Sequence, residues 1–189
     1  MAVAAGALTR VDQWAVDHVT PGGISHTAKN SLLDGLVPLL HSSLHSGYDV
    51  AVNIVTLPAS FPIALGIVLA CSPVLGIAMI GAVAVEVICK EVLMKPALYD
   101  GSFHIAAFDS SFPSGHALRT VIVAAAIAWR WPRARIAAIA WATASIVLLQ
   151  LAGWHTPTDL AGGVLLAALA LLVARGAGAL RGRRLSRRP

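Results

Sequence analysis

The chain has 189 residues, of which 57% are hydrophobic and only 12% are charged, and its formal net charge is +5. Soluble domains carry about 25% charged residues, so this composition excludes an ordinary soluble protein and indicates a membrane protein. The length suits a single domain. Because a membrane protein needs basic residues for its topology, we predict the membrane as a partner and no binding of nucleic acid.

Residues 1–47 contain two apolar stretches, Val11–Val19 and Leu32–Leu44, which carry Asp and His residues. A bilayer span needs about 20 mostly apolar residues, so both stretches are short. We therefore predict amphipathic helices on the outer membrane surface, with a sixth, poorly hydrophobic span as the alternative. His41 and His45 have no evident third ligand, and we predict no metal site.

Residues 48–175 hold five longer apolar segments, each bounded by Pro, Gly or charge. These predicted spans cover residues 48–70, 73–94, 113–131, 135–154 and 156–174. Pro58 and Pro62 should kink the first span, which neighbouring helices can tolerate in a membrane. The pattern predicts an all-α fold, a polytopic membrane helical bundle with five or six transmembrane helices.

The basic residues cluster in the loop after the third span and at the end of the chain, in the tail (residues 176–189) and directly before it. They are Arg130, Arg133 and Arg135 in the loop, and Arg175, Arg181, Arg183, Arg184, Arg187 and Arg188 at the end of the chain. The positive-inside rule places both regions in the cytoplasm. We expect an unstructured tail close to anionic headgroups. The opposite face of the plasma (inner) membrane, periplasmic or extracellular, then receives residues 95–111 and the connection at His155.

Pro113–His116 should form the first turn of the third span. A helix N-terminus presents unpaired N–H groups and a positive dipole end, which favour phosphate. Ser114 adds a hydroxyl donor, Gly115 allows close approach to the backbone, and His116 can protonate a leaving alkoxide. The alternative is a simple helix cap with a surface histidine.

The hairpin of the third and fourth spans should bring His155 next to His116, although the two residues are 39 positions apart. His155 is the predicted nucleophile, which attacks phosphorus to form a phosphohistidine. Asp159 would accept the Nδ1 proton of His155 and so orient the ring. Alternatively, Thr156 is an N-cap and Asp159 completes a capping box. Both roles can hold at once.

Together these residues resemble the type 2 phosphatidic acid phosphatase superfamily over roughly residues 48–175. Pro113–His116 match its Pro-Ser-Gly-His motif in full, and His155 and Asp159 match the end of its Arg-x5-His-x3-Asp motif. The resemblance implies a helical bundle and a metal-independent phosphatase without a cofactor. It also implies that His116 is the acid and His155 the nucleophile.

Two arginines of the family pattern are missing. Leu149 stands where the third motif has Arg, and Ala97 stands at the Arg position of Lys-x6-Arg-Pro when counted from Lys90. The resemblance implies that such arginines bind phosphate, and losing such donors weakens transition-state stabilisation.

The chain offers three cations as replacements. Arg119 lies one turn after His116 on the same helix face and inside an apolar span, where a charge is usually functional. Snorkelling to the outer headgroups is the alternative. Lys90 and Lys95 add further charge, and Glu86, one turn before Lys90, should pair with it.

We therefore predict a membrane phosphatase that hydrolyses a lipid phosphomonoester or pyrophosphate through a phosphohistidine. The alternatives are a phosphotransferase on the same scaffold and a catalytically degenerate binding or scaffold protein. The predicted catalytic residues are His155, His116 and Asp159, and the predicted substrate-binding residues are Lys90, Lys95, Ser114, Gly115 and Arg119.

Overall fold

The computed structural model describes residues 2–20 and 47–185, and within these ranges it contains seven α-helices. They are α1 (Ala2–Val19), α2 (Gly47–Thr56), α3 (Phe61–Cys71), α4 (Pro73–Val92), α5 (Gly115–Arg130), α6 (Arg135–Leu151) and α7 (Pro157–Leu185). The predicted stretch Leu32–Leu44, with His41 and His45, lies outside the described residues.

Three segments are long and apolar enough to cross a membrane, namely Pro73–Val92, Pro132–Leu151 and Pro157–Ala177. A fourth is added if the bent pair α2 and α3 is one span. The helical, membrane-type character of the chain is thereby confirmed. The number of five or six spans stays a prediction, because α5 has only 16 residues and a span needs about 20.

The first predicted span is broken, as its prolines suggested. A 3-10 turn, Leu57–Ala59, separates α2 from α3, and the two helical pieces are bent by 40°. Pro58 and Pro62 lack the backbone N–H that a continuous helix requires. The break leaves the Ala59 carbonyl available, and Arg119 Nε of α5 donates a hydrogen bond to it at 2.8 Å.

Helix α5 occupies the centre of the bundle, where it packs against α3, α4, α6 and α7. Its side chains Leu118 and Ile122 are fully buried and share one core with Leu75 and Met79 of α4. Helix α7 approaches α5 closely because Gly163 has no side chain. A Cβ at that position would lie 2.3 Å from the Ser114 carbonyl oxygen.

The connection between α4 and α5 contains a small feature that the sequence did not predict. Tyr99–Asp100 and Phe103–His104 form a two-stranded antiparallel sheet, followed by the 3-10 turn Ala106–Phe108. Helix α1 is fastened to this connection by Gln13, which donates to the Tyr99 carbonyl at 2.6 Å and accepts from the Tyr99 N–H at 3.0 Å.

Helix α7 continues through Leu185, so the expectation of an unstructured tail is wrong for residues 176–185. Seven of its ten residues are Ala, Arg or Leu and the other three are Gly; Ala, Arg and Leu are strong helix formers. The start of the predicted tail is thus the last part of α7.

The close approach of α5 and α7 predicts that Gly163→Ala destabilises the protein by about 1–3 kcal/mol, because the added methyl group meets a backbone oxygen that cannot move freely. Gly176→Ala, in the same helix with nothing within 4 Å of the new Cβ, is the matched control. It should leave stability unchanged or raise it by up to about 1 kcal/mol. Thermal unfolding in detergent measures both, and equal stability of the two variants would contradict the packing.

Candidate active site

The starts of α5 and α7 meet at one end of the bundle. Ser114 caps α5 by accepting a hydrogen bond from the Ala117 N–H at 3.2 Å, and its own N–H donates to the Asp159 carbonyl at 2.9 Å. This contact brings His116 and His155 together, with their ring centroids 5.9 Å apart. The prediction that the two histidines are neighbours is confirmed.

Asp159 accepts several hydrogen bonds at this end of the bundle, and it is 0% exposed. Its Oδ2 accepts hydrogen bonds from the Thr156 N–H at 3.0 Å and from Ser111 Oγ at 2.7 Å. Its Oδ1 accepts one from Lys95 Nζ at 2.9 Å. The contact with the Thr156 N–H is the carboxylate half of the predicted capping box, and this half is confirmed.

His155 is buried beside this carboxylate, but without a hydrogen bond to it. Nδ1 of His155 lies 3.8 Å from Asp159 Oδ2, and within the described part of the chain Nδ1 has no hydrogen-bond partner. Catalytic hydrogen bonds are often long without substrate and tighten in the complex. The ring and the carboxylate are thus adjacent, while the orienting role of Asp159 stays a prediction.

Lys95 lies between two carboxylates. Its Nζ is 2.9 Å from Asp159 Oδ1 and 2.8 Å from Asp12 Oδ2, and it also donates to Thr156 Oγ1 at 2.5 Å. These contacts support a positioning role for Lys95 at the start of α7. Its predicted role as a direct phosphate ligand stays a prediction.

Asp12 of α1 is a member of this cluster that the sequence reasoning missed. It is 1% exposed and accepts hydrogen bonds from the backbone N–H of Thr158 at 3.0 Å and from its hydroxyl at 2.5 Å. The residues are 146 positions apart, so no local pattern connects them. The available signal was an acidic residue within the apolar stretch Val11–Val19, since a buried acid needs a partner.

A second charged cluster lies beside the first residue of α5. Lys90 Nζ is 2.9 Å from Glu86 Oε1, which confirms the predicted pair. Arg119 Nη1 is 3.4 Å from Glu86 Oε2. A Cβ at Gly115 would lie 2.0 Å from Glu86 Oε1, so the glycine makes room for this carboxylate. The structure places Arg119 beside the predicted site, whereas its contact with phosphate stays a prediction.

Leu149, which stands where the family motif has an arginine, is part of the apolar core. Leu149 of α6 is 0% exposed and packs in a cluster with Val52, Ala117, Ala152 and Leu160. An arginine there would have to bury its charge among these side chains. Any replacement for its function must therefore come from other elements, and the cations near the two histidines are on α4, α5 and the connection after α4.

The sequence is similar to a known protein family. A family model described as the PAP2 superfamily matches residues 74–181. Every residue predicted for the site lies in that segment, whereas Asp12 and α1 lie outside it. No curated protein and no solved structure gives a significant match.

The Asp12 contacts predict that Asp12→Asn destabilises the protein by about 1–3 kcal/mol, because the variant loses a buried charge-assisted hydrogen bond. Lys95 keeps Asp159 as a partner in the variant, which limits the loss of stability. Asp17→Asn, an exposed change on the same helix, is the control and should stay within about 0.5 kcal/mol of the parent protein. Thermal unfolding in detergent compares them, and an unaffected Asp12→Asn protein would contradict the contact.

Proposed function

Because this chain belongs to the PAP2 superfamily, whose members are generally phosphatases, we propose that it hydrolyses a lipid phosphomonoester or pyrophosphate in the membrane through a phosphohistidine. The observation that carries the proposal is the pair of histidines at the starts of α5 and α7, with ring centroids 5.9 Å apart. This separation puts both imidazoles within reach of one phosphoryl group.

The proposed reaction has two steps. In the first, His155 Nε2 attacks phosphorus, the bond from phosphorus to the leaving oxygen breaks, and His116 gives that oxygen a proton. In the second, His116 takes a proton from a water molecule that attacks the phosphohistidine. The bond from phosphorus to nitrogen then breaks, and inorganic phosphate leaves. Asp159 is proposed to stabilise the His155 ring, which lies 3.8 Å from its Oδ2.

The phosphate is proposed to bind at the start of α5, where the first turn of the helix leaves backbone N–H groups available to an anion. Gly115 allows close approach, and the Ser114 hydroxyl, which accepts from Ala117 N–H, can still donate its own hydrogen. Lys90 and Arg119 lie beside this turn and would stabilise the charge that develops on the phosphoryl oxygens.

A lipid substrate is favoured by the surroundings of Lys90. Ile88, Val92 and Met94, which flank it along the chain, are 60%, 71% and 78% exposed. Apolar side chains with this exposure suit contact with acyl or prenyl chains. A phosphate headgroup could therefore enter the site while its apolar tail remains in the bilayer.

We propose five spans, with α5 among them, because α5 packs against four other helices of the bundle and must follow them through the bilayer. The site then opens at the periplasmic or extracellular face, and the C-terminus lies in the cytoplasm. The contacts of Asp12 and Gln13 with the same end of the bundle support a surface helix for α1.

His155→Ala should lower the rate of phosphate release at least about a thousandfold, because the nucleophile is lost. The assay uses detergent-purified protein and a panel of lipid phosphates and pyrophosphates. His18→Ala is the control, since His18 is an exposed histidine on α1, and it should retain full activity. Unchanged release from His155→Ala would contradict the phosphohistidine. No release from any substrate by folded parent protein would contradict the phosphatase and favour a binding or scaffold role.

His116→Ala should lower kcat/KM, which reports formation of the phosphohistidine and not its hydrolysis, by about 10²–10⁴-fold for an alkyl phosphate, because the alkoxide leaving group needs a proton. The decrease should be much smaller for 4-nitrophenyl phosphate, because its leaving group departs without needing a proton. Parallel rate measurements on the two substrates test this assignment. Equal losses on both would show that His116 acts in another way than as the acid.

A further inference from the structure

Glu86 is a buried carboxylate that the proposed reaction does not use. It is 4% exposed and lies in the apolar helix α4, where a charge is costly and usually functional. Its two oxygens contact two different cations, with Oε1 2.9 Å from Lys90 Nζ and Oε2 3.4 Å from Arg119 Nη1. The same carboxylate borders the first residue of α5. It thus sits where a phosphate would meet both cations.

We propose that Glu86 tunes the phosphate affinity of the site, because its carboxylate competes with the substrate phosphate for Lys90 and Arg119, an inference that rests on the proposed phosphatase function. The competition sets how tightly the site holds an anion. An incoming phosphate must weaken the contacts of Glu86 before it can gain those of the two cations.

The charge balance of the site supports this competition. The three cations predicted to bind phosphate, Lys90, Lys95 and Arg119, are matched by three carboxylates. Lys95 contacts Asp12 and Asp159, and the other two cations contact Glu86. A site whose cations are already paired attracts an anion weakly, because each new contact replaces an existing one.

Among the three carboxylates, Glu86 has the cation contacts that a phosphate can displace most easily. The Asp159 side chain is 0% exposed, and its carboxylate accepts hydrogen bonds from three residues. The Asp12 carboxylate accepts two hydrogen bonds from Thr158. The contact of Glu86 with Arg119, at 3.4 Å, is longer than the 2.7–2.9 Å of a strong charge-assisted bond. Its partner Lys90 is the most exposed of the three cations, with 18% of its side chain accessible.

The test is the affinity of the purified full chain for inorganic phosphate, measured by isothermal titration calorimetry in detergent. Glu86→Gln keeps the shape of the side chain and removes its charge, so the Kd for phosphate should fall at least about tenfold, since a nearby negative charge is gone. Glu91→Gln, an exposed change on the same helix, is the matched control and should leave the Kd unchanged. Glu86→Asp keeps the charge, so its Kd for phosphate should be closer to that of the parent protein than the Kd of Glu86→Gln is.

Stability provides a second readout. Removing the carboxylate leaves two largely buried cations unpaired, so Glu86→Gln should unfold at a lower temperature in phosphate-free buffer. Added phosphate should raise its Tm more than it raises that of the parent protein. The variant is purified in phosphate, which is removed by dialysis before both measurements.

The outcomes separate this inference from the proposed function. Parent protein that releases phosphate from lipid substrates, together with a Glu86→Gln protein whose Kd is unchanged or higher, would overturn the role of Glu86 alone. A Glu86→Gln protein that phosphate does not stabilise would overturn it as well. Folded parent protein that neither binds phosphate nor hydrolyses any substrate would overturn the phosphatase itself.

Discussion

The buried carboxylate of Asp159 is the interaction on which the arrangement of the candidate site depends. It joins three parts of the chain, since Thr156 belongs to the start of α7, Ser111 to the segment before α5, and Lys95 to the segment after α4. A carboxylate without solvent contact is costly unless its oxygens are satisfied. The three donors therefore hold these segments in one geometry. Because His155 lies four residues before Asp159, just ahead of α7, the same contacts place the proposed nucleophile.

Charge is arranged differently here from the family pattern that the sequence resembles. Leu149 stands where the family pattern has an arginine, and it is buried in the apolar core. The cations near the histidines are paired with acidic side chains. Arg119 depends on the break between α2 and α3, because the carbonyl of Ala59 is free to accept its Nε only where the helix is interrupted. A kink made by two prolines thus positions a charge in the centre of the bundle.

Local patterns predicted a large part of this structure correctly. Apolar runs bounded by Pro and charge predicted helices α3 to α7, and the order of these helices predicted that His116 and His155 are neighbours. The spacing of Glu86 and Lys90 predicted their ion pair, because residues four apart share a helix face. Asp12 was missed for the opposite reason, since its partner Thr158 is 146 positions away. The helical continuation of α7 was also missed, because the basic and glycine-containing composition of residues 176–185 suggested an unstructured tail.

The sequence by itself determined the membrane character, most helices and the residues that carry the proposed chemistry, because hydropathy, proline positions and motif spacing act over a few residues. Only the tertiary structure decided which carboxylate each buried cation contacts. That choice depends on how closely whole helices approach, as at Gly115 and Gly163, where a missing side chain admits a carboxylate or a backbone oxygen. Pairing of buried charges is a property of the packed bundle, since Coulomb energy depends on distance and burial and not on separation along the chain.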